Sequence, residues 1–135
     1  MNAPKWIAPL FLLAAIYDGV LGLLFLVAPH YPYDMFEVTP PNHWGYVQFP
    51  AALLVIFAIM FVQIAMDPRA GRGLIVYGIL LKVAYCGVAA WHWINGGIPA
   101  MWQPLVIADL VFLGLFGCAL LALGKLKTGP SNEVV

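Results

Sequence analysis

Four long apolar stretches constrain this chain more than any other feature of its sequence. They cover residues 6–28, 46–66, 74–94 and 101–123, and each is roughly 20 residues long. At ~1.5 Å of rise per residue, a helix of that length crosses a hydrocarbon core of ~30 Å. The stretches lack the alternating polar pattern of barrel strands, so helices are the way to satisfy their backbone in lipid. We therefore predict an all-α, polytopic membrane protein with four transmembrane helices.

The connections between these stretches indicate how the helices are arranged. Asp-Pro-Arg-Ala-Gly at 67–71 and Asn-Gly-Gly-Ile-Pro at 95–99 are short and rich in turn-forming residues. Short links make successive helices antiparallel, which predicts an up-down-up-down bundle in a single membrane domain spanning 1–135. The first connection is longer and carries aromatic residues that we expect at the membrane interface. The polar tail from about 126 to 135 is predicted to be disordered.

Basic residues predict the orientation of the bundle. Five of them lie on one side of the bundle, before the first stretch, between the second and third, and after the fourth: Lys5, Arg69, Arg72, Lys125 and Lys127. The two connections on the other side contain no Lys or Arg. Cytoplasmic loops carry the excess of Lys and Arg in membrane proteins. We therefore expect a bacterial inner-membrane protein with both termini in the cytoplasm.

Composition limits the partners of the chain. The formal net charge is zero and no basic patch is present, which argues against nucleic acid as a partner. The lipid bilayer is the expected partner, and a larger membrane complex or a homo-oligomer stays open.

The first stretch is too long for a signal-peptide core and lacks a small-residue cleavage site, so we expect it to remain as a helix.

Three ionisable residues lie inside the apolar stretches: Asp18, Lys82 and Asp109. A charge at membrane depth costs about 2.5–3.5 kcal/mol on insertion scales, so such residues are rare and usually face a partner or a wet cavity. Helix rise places Asp18 about 18 Å, Lys82 about 13 Å and Asp109 about 22 Å from the cytoplasmic ends of their helices. A lysine side chain can bridge the difference to Asp18 and extend toward Asp109. We predict that they form a buried polar core, with Tyr17 and Tyr85 as candidates to complete a hydrogen-bonded cluster.

Two interpretations of this polar core stay open. Buried opposite charges can fix the order and register of helices, with little net stabilisation. Alternatively, two carboxylates against one ammonium leave one acid in surplus, and that acid could exchange a proton or bind a cation. Small residues one turn from the charges, such as Gly22 and Gly78, predict close helix packing under either interpretation.

The remaining chemistry-bearing residues support no specific reaction. Weak metal-ligand candidates are predicted at one end of the bundle, without the spacing of a known motif: His30, Glu37, His43 and His92. Helix rise separates Cys86 from Cys118 by too much for a disulfide. No catalytic triad or phosphate-binding loop is present in the sequence. We predict no cofactor and no metal, and enzymatic activity has no positive support.

Two resemblances to known families add to this interpretation. Residues 14–22, Ala-Ala-Ile-Tyr-Asp-Gly-Val-Leu-Gly, resemble the first helix of small multidrug resistance transporters, where Ala-Ile-x-x-Glu-Val-x-Gly carries an acid that exchanges protons for cationic drugs. That resemblance implies that Asp18 is the coupling acid, although here the acid is an aspartate displaced by one residue. The helix plan, with Leu-Gly-Leu-Leu-Phe-Leu-Val-Ala-Pro at 21–29, is similar to DoxX-like and other uncharacterised four-helix bacterial inner-membrane proteins, some of which accompany redox enzymes.

Taken from the sequence, the expected function is non-catalytic: an accessory subunit or an intramembrane binding protein with a buried Asp/Lys polar core. One alternative is a proton-coupled transporter of small molecules that acts as a homodimer. A second alternative is a subunit of a quinone- or metal-dependent redox complex.

Overall fold

The computed structural model describes residues 2–127, and these contain five helices. The helices are α1 (Ile7–Val27), α2 (His30–Met35), α3 (Gly45–Met66), α4 (Arg72–Gly96) and α5 (Gln103–Lys127). α1, α3, α4 and α5 are long and apolar enough to cross a membrane. The predicted all-α four-helix membrane bundle is confirmed.

The observed helix bounds lie within four residues of the predicted ones, and α1 is one residue shorter at each end. α4 begins two residues earlier and ends two residues later than predicted, and α5 continues past residue 123 to Lys127. The predicted disordered tail therefore overlaps the end of α5 at 126 and 127, and the rest of it lies outside the described residues. The short helix α2 was not predicted, because the sequence there was interpreted as a loop.

Local interactions end the helices at the two short connections. Asp67 terminates α3, and its side-chain Oδ1 accepts a hydrogen bond from the backbone N of Ala70 at 3.1 Å. Its carbonyl accepts a second bond from the backbone N of Gly71 at 2.9 Å. Gly97 terminates α4 with φ of 83°, a left-handed conformation that glycine adopts without strain. Both turns are tight, which keeps neighbouring helices antiparallel.

The bundle consists of two helical hairpins. α1 packs along α3 through most of its length, and α4 packs along α5, whereas contacts between the two hairpins are fewer. The first hairpin is closely packed: a Cβ added at Gly22 would lie 2.8 Å from the carbonyl oxygen of Ala51. This confirms the close approach predicted from the small residues around Asp18.

The two ends of the bundle have separate cores. We call the end that contains the chain termini and the α3–α4 turn the terminal half, and the end that contains α2 and the α4–α5 turn the α2 half. The terminal half is filled by an aromatic cluster in which Phe11 stacks on Phe116, with ring centroids 4.7 Å apart, and Phe61 packs against both. The hairpins meet closely there, because a Cβ at Gly78 would lie 2.8 Å from the ring of Phe61.

The α2 half has a smaller core built from aromatic residues near the connections. Phe25 stacks on Trp102 with centroids 5.4 Å apart, and Tyr33 from α2 packs edge-on against Trp44 and Trp102. Tyr33 is only 9% exposed. Tyr33, Trp44 and Trp102 therefore pack inward. Tyr31, another aromatic residue of the first connection, is exposed.

Candidate functional site

The three intramembrane charges meet in the middle of the bundle. Nζ of Lys82 on α4 lies 2.9 Å from Oδ1 and 3.0 Å from Oδ2 of Asp18 on α1, and 2.9 Å from Oδ1 of Asp109 on α5. Lys82 is fully buried, and Asp18 and Asp109 are 1% and 7% exposed. The predicted buried Asp/Lys core is therefore present, and one ammonium bridges both carboxylates.

Lys82 is paired with both carboxylates of the polar core in this arrangement. An ammonium has three donors, and it makes three contacts with carboxylate oxygens. The rings of Phe112 and Tyr17 lie on its sides, with centroids 5.3 Å and 5.5 Å from Nζ, where cation–π attraction adds to the ion pairs. The positive charge of Lys82 is thus fully engaged.

One carboxylate oxygen of the polar core lacks a described partner. Both oxygens of Asp18 accept bonds from Lys82, but only Oδ1 of Asp109 does so. About 11% of the Asp109 side chain stays accessible, against 1% for Asp18. With two aspartates and one lysine, the cluster has a formal charge of −1 when all three are ionised, and the surplus lies on the Asp109 side.

The two tyrosines do not complete the hydrogen-bonded cluster that the sequence suggested. The hydroxyl of Tyr17 is buried and has no hydrogen-bond partner among the described residues. The hydroxyl of Tyr85 donates to the carbonyl of Trp102 at 3.5 Å, away from the carboxylates. Tyr17 therefore contacts the polar core through its ring, and its hydroxyl is left unsatisfied.

A cavity of about 390 Å³ opens above the polar core, on its α2 side. It lies between the two hairpins, and Asp18, Asp109 and Tyr17 lie at its floor. Its walls are otherwise mostly aliphatic, and aromatic residues close its α2 end: Leu21, Phe25, Tyr33, Leu54, Leu81, Tyr85, Trp102 and Leu105. Pockets for small ligands occupy about 300–1,000 Å³ and are largely apolar with few polar groups, so this cavity has the dimensions and composition of one.

The weak metal-ligand candidates do not come together. His30, His43 and His92 are exposed, as is Glu37, and among residues 2–127 no three His, Cys, Asp or Glu side chains could hold a metal ion jointly. His43 makes a local contact instead, since its Nδ1 accepts a bond from the backbone N of Gly45. Cys86 and Cys118 are both free, the first buried and the second exposed, as expected from their separation.

Comparisons with known proteins show one partial similarity. Over 92 residues, which are 67% of this chain, it is 30% identical to an apolipoprotein N-acyltransferase of Mycolicibacterium smegmatis. The matched segment is only 14% of that protein's length, so family membership does not follow from it. No protein-family profile and no solved structure matches the chain. The fold and the site thus define a class, a small four-helix integral membrane protein with a buried ion-pair core.

Proposed function

We propose that this chain is a small, non-catalytic intramembrane binding protein that holds one amphiphilic molecule between its two hairpins. The cavity of about 390 Å³ above the polar core is the observation that carries this proposal. Such a volume would hold roughly a dozen water molecules at ~30 Å³ each, but apolar walls give water few partners. A hydrocarbon or aromatic body suits these walls better, and a polar group on the same molecule would meet the carboxylates of the floor.

The cavity also has a route by which a membrane-dissolved molecule could enter. α3 and α4 pack closely in the terminal half, at Phe61 and Gly78. In the α2 half they contribute opposing walls instead, with Leu53 on α3 and Ala84 on α4, and both of these residues are exposed at the bundle surface. We infer a lateral entrance from the bilayer between the α2-side halves of α3 and α4.

Two variants that fill the cavity, one of them at this entrance, test the binding function. Ala84→Phe places a ring where Ala84 lines the cavity, and Leu105→Trp fills it from α5. Ala90→Phe is the matched control, because Ala90 is also exposed on α4 but does not line the cavity. Native mass spectrometry of gently purified protein should show one small bound amphiphile in the wild type and Ala90→Phe, and none in the two filled variants.

Melting temperatures must accompany that measurement. If the filled variants melt near the wild type and still carry the amphiphile, the cavity is not its site. If wild-type protein purified with its native lipids carries no amphiphile, and none binds on reconstitution, the binding function is wrong.

The role of accessory subunit is compatible with the same proposal, because a binding protein can deliver its ligand to a larger complex. The likeness of the helix plan to DoxX-like proteins, some of which accompany redox enzymes, supports such a role and the redox alternative with it. The similar acyltransferase concerns an acyl group by its name, so an acyl chain is one apolar body to include among candidate ligands. A larger protein that co-purifies in stoichiometric amount would support the subunit role.

Proton-coupled transport is the second candidate function, and the surplus carboxylate of Asp109 favours it. Asp109 borders the cavity and has an oxygen without a described partner, so a proton or a cation could neutralise it. Four helices enclose little space by themselves, and we therefore associate transport with a homodimer. Proton release on addition of a hydrophobic cation, abolished by Asp109→Asn or Asp18→Asn, would favour transport over simple binding.

The proposed orientation places both termini in the cytoplasm of a bacterial cell and the α2 half outside. A cysteine at Glu37 in a chain without its native cysteines should react with an impermeant reagent from outside only. A cysteine at position 131, which lies beyond the described residues, should react from the cytoplasm only. Labelling of both positions from the same side would contradict the four-span topology.

A further inference from the structure

The depth of the polar floor restricts the kind of head group that the cavity can accept. Asp18 lies 11 residues after Ile7, the first residue of α1, which is about 17 Å along a helix that spans a ~30 Å core. A ligand must therefore bring its polar end to the middle of the bilayer. Charged groups are expensive at that depth. Phosphate and zwitterionic heads are therefore disfavoured, and a small neutral head is favoured.

The free hydrogen-bonding groups of the floor restrict the head group further. Lys82 already contacts three carboxylate oxygens, and the two aspartates outweigh its charge, so the floor offers an anion no uncompensated positive charge. The remaining group is the second oxygen of Asp109, an acceptor with accessible surface at the cavity. A complementary head group must therefore donate a hydrogen bond, which excludes ethers, esters and carboxylates as the matching group.

Tyr17 supplies the second half of the recognition. Its hydroxyl is buried and has no partner among the described residues, although Tyr17 lines the same cavity. Buried polar groups are nearly always hydrogen-bonded, so an unpaired one beside a cavity indicates a missing partner. A phenolic hydroxyl both donates and accepts. The Tyr17 hydroxyl is covered in this arrangement, so the Tyr17 side chain has to shift to bring it to a ligand. After that shift, a ligand hydroxyl that donates to Asp109 can accept from Tyr17, which satisfies both groups.

We propose that the cavity binds a neutral amphiphile through a hydroxyl group, of the phenol or long-chain alcohol class, with that hydroxyl between Asp109 and Tyr17. The apolar body then lies between the hairpins, with Phe25 and Trp102 at its far end. This inference rests on the proposed binding function and adds the head-group chemistry. Aromatic and aliphatic alcohols share that chemistry, and the experiment separates them.

Matched probes test the head group in protein reconstituted in lipid nanodiscs. The probes are a dodecyl-substituted phenol, its methyl ether, dodecanol and dodecylamine. The ether keeps the shape of the phenol but cannot donate a hydrogen bond. We expect the phenol to bind roughly tenfold to a hundredfold more tightly than the ether, the range for a hydrogen bond to a charged group. Comparing the affinity of dodecanol with that of the phenol shows whether the aromatic ring also contributes to binding.

Variants assign that difference to the two residues. Asp109→Leu should reduce the affinity for the phenol to that of the ether and leave the ether unchanged, while Lys82 keeps its pair with Asp18. Asp109→Asn retains an acceptor oxygen and should restore part of the affinity. Tyr17→Phe should cost less, about threefold to tenfold, because that hydrogen bond is between neutral groups.

Each other outcome contradicts a defined part of the proposal. Equal affinity for phenol and ether, both lost in Ala84→Phe, would overturn the head-group inference and leave the binding function standing. Tighter binding of dodecylamine than of either alcohol would overturn it in favour of the cation-exchanging transporter. If no probe binds and the native protein carries no amphiphile, the binding function itself fails.

Discussion

The terminal half and the α2 half of the bundle are built from similar residues but differ in how they use them. In the terminal half, aromatic rings from three helices stack directly on one another and Gly78 lets the hairpins meet. In the α2 half, aromatic residues line the end of a cavity instead of filling it. The polar core lies at the boundary between them. Because the terminal half is tightly packed and the α2 half contains the cavity, a ligand reaches the charged residues from the α2 side.

This difference follows from the connections rather than from the composition of the spans. The α3–α4 turn is tight and holds the two hairpins together at the terminal end. At the other end, α1 and α3 are joined by a longer connection that contains α2, and within residues 2–127 no turn joins the two hairpins there. α2 then places Tyr33 against Trp44 and Trp102, so the α2 half is closed at its end but not along its side.

The largest expected effect comes from removing the cation at the boundary. Lys82→Met leaves two buried acids without a partner, and breaking one side of a buried pair costs about 3–5 kcal/mol in soluble proteins. Protonation and water reduce this cost in a membrane, so we expect a loss of about 2–4 kcal/mol, measured as a lower melting temperature in detergent. The control is Leu80→Met, which changes a lipid-facing residue of the same helix.

The pairing itself is tested by a second substitution. Asp18→Asn in the Lys82→Met chain removes one of the two unpaired acids and should restore part of the lost stability. Strictly additive losses in the double variant would show that Asp18 and Lys82 do not interact.

A smaller effect compares the packing of the two halves. Phe116 is fully buried among aromatic rings, and Phe116→Ala should cost about 2 kcal/mol, below the ~3–5 kcal/mol of soluble cores because lipid also solvates apolar groups. Phe25 already borders the cavity, so Phe25→Ala should cost about 1 kcal/mol, since less packing is lost. Denaturation in mixed micelles measures both. Equal losses would mean that the α2 half is as tightly packed as the terminal half.

The smallest effect concerns pH at the end of the α2 half. Burial raises the pKa of Tyr33 above its ordinary value of ~10, because the ionised phenol is desolvated there. The unfolded state therefore loses this proton first as pH rises, and stability falls between the ordinary pKa and the raised one. Below pH ~10 no change is expected. Tyr33→Phe should weaken the alkaline decrease in melting temperature, and an unchanged decrease would contradict the assignment.

The sequence predicted the spans and the meeting of the charges because each depends on position along a helix. Apolar length indicates where a helix crosses the membrane, and rise per residue indicates the depth of Asp18, Lys82 and Asp109. The cavity could not be predicted in this way. Each span is apolar on all sides, so the pattern does not mark which face of a helix turns inward.

Residues of the connections were equally hard to place. Tyr33, Trp44 and Trp102 have the composition of an interfacial belt, and only the course of the chain through α2 directs them inward. The unpaired hydroxyl of Tyr17 was missed because Tyr17 was expected to join a hydrogen-bonded cluster with the three charges. Adjacent residues on a helix do not face each other, which was a signal available in the sequence.

The distribution of the three charges between the hairpins has a consequence for biogenesis. The second hairpin contains its own ion pair, Lys82 with Asp109, 27 positions apart. The first hairpin contains Asp18 alone, and its cation lies 64 positions further along the chain. During synthesis α1 and α3 are therefore made before Lys82, the residue that neutralises Asp18. Asp18 must stay protonated or hydrated until α4 is inserted. A chain interrupted after α3 keeps an uncompensated acid in the membrane, which distinguishes it chemically from the chain that has reached α4.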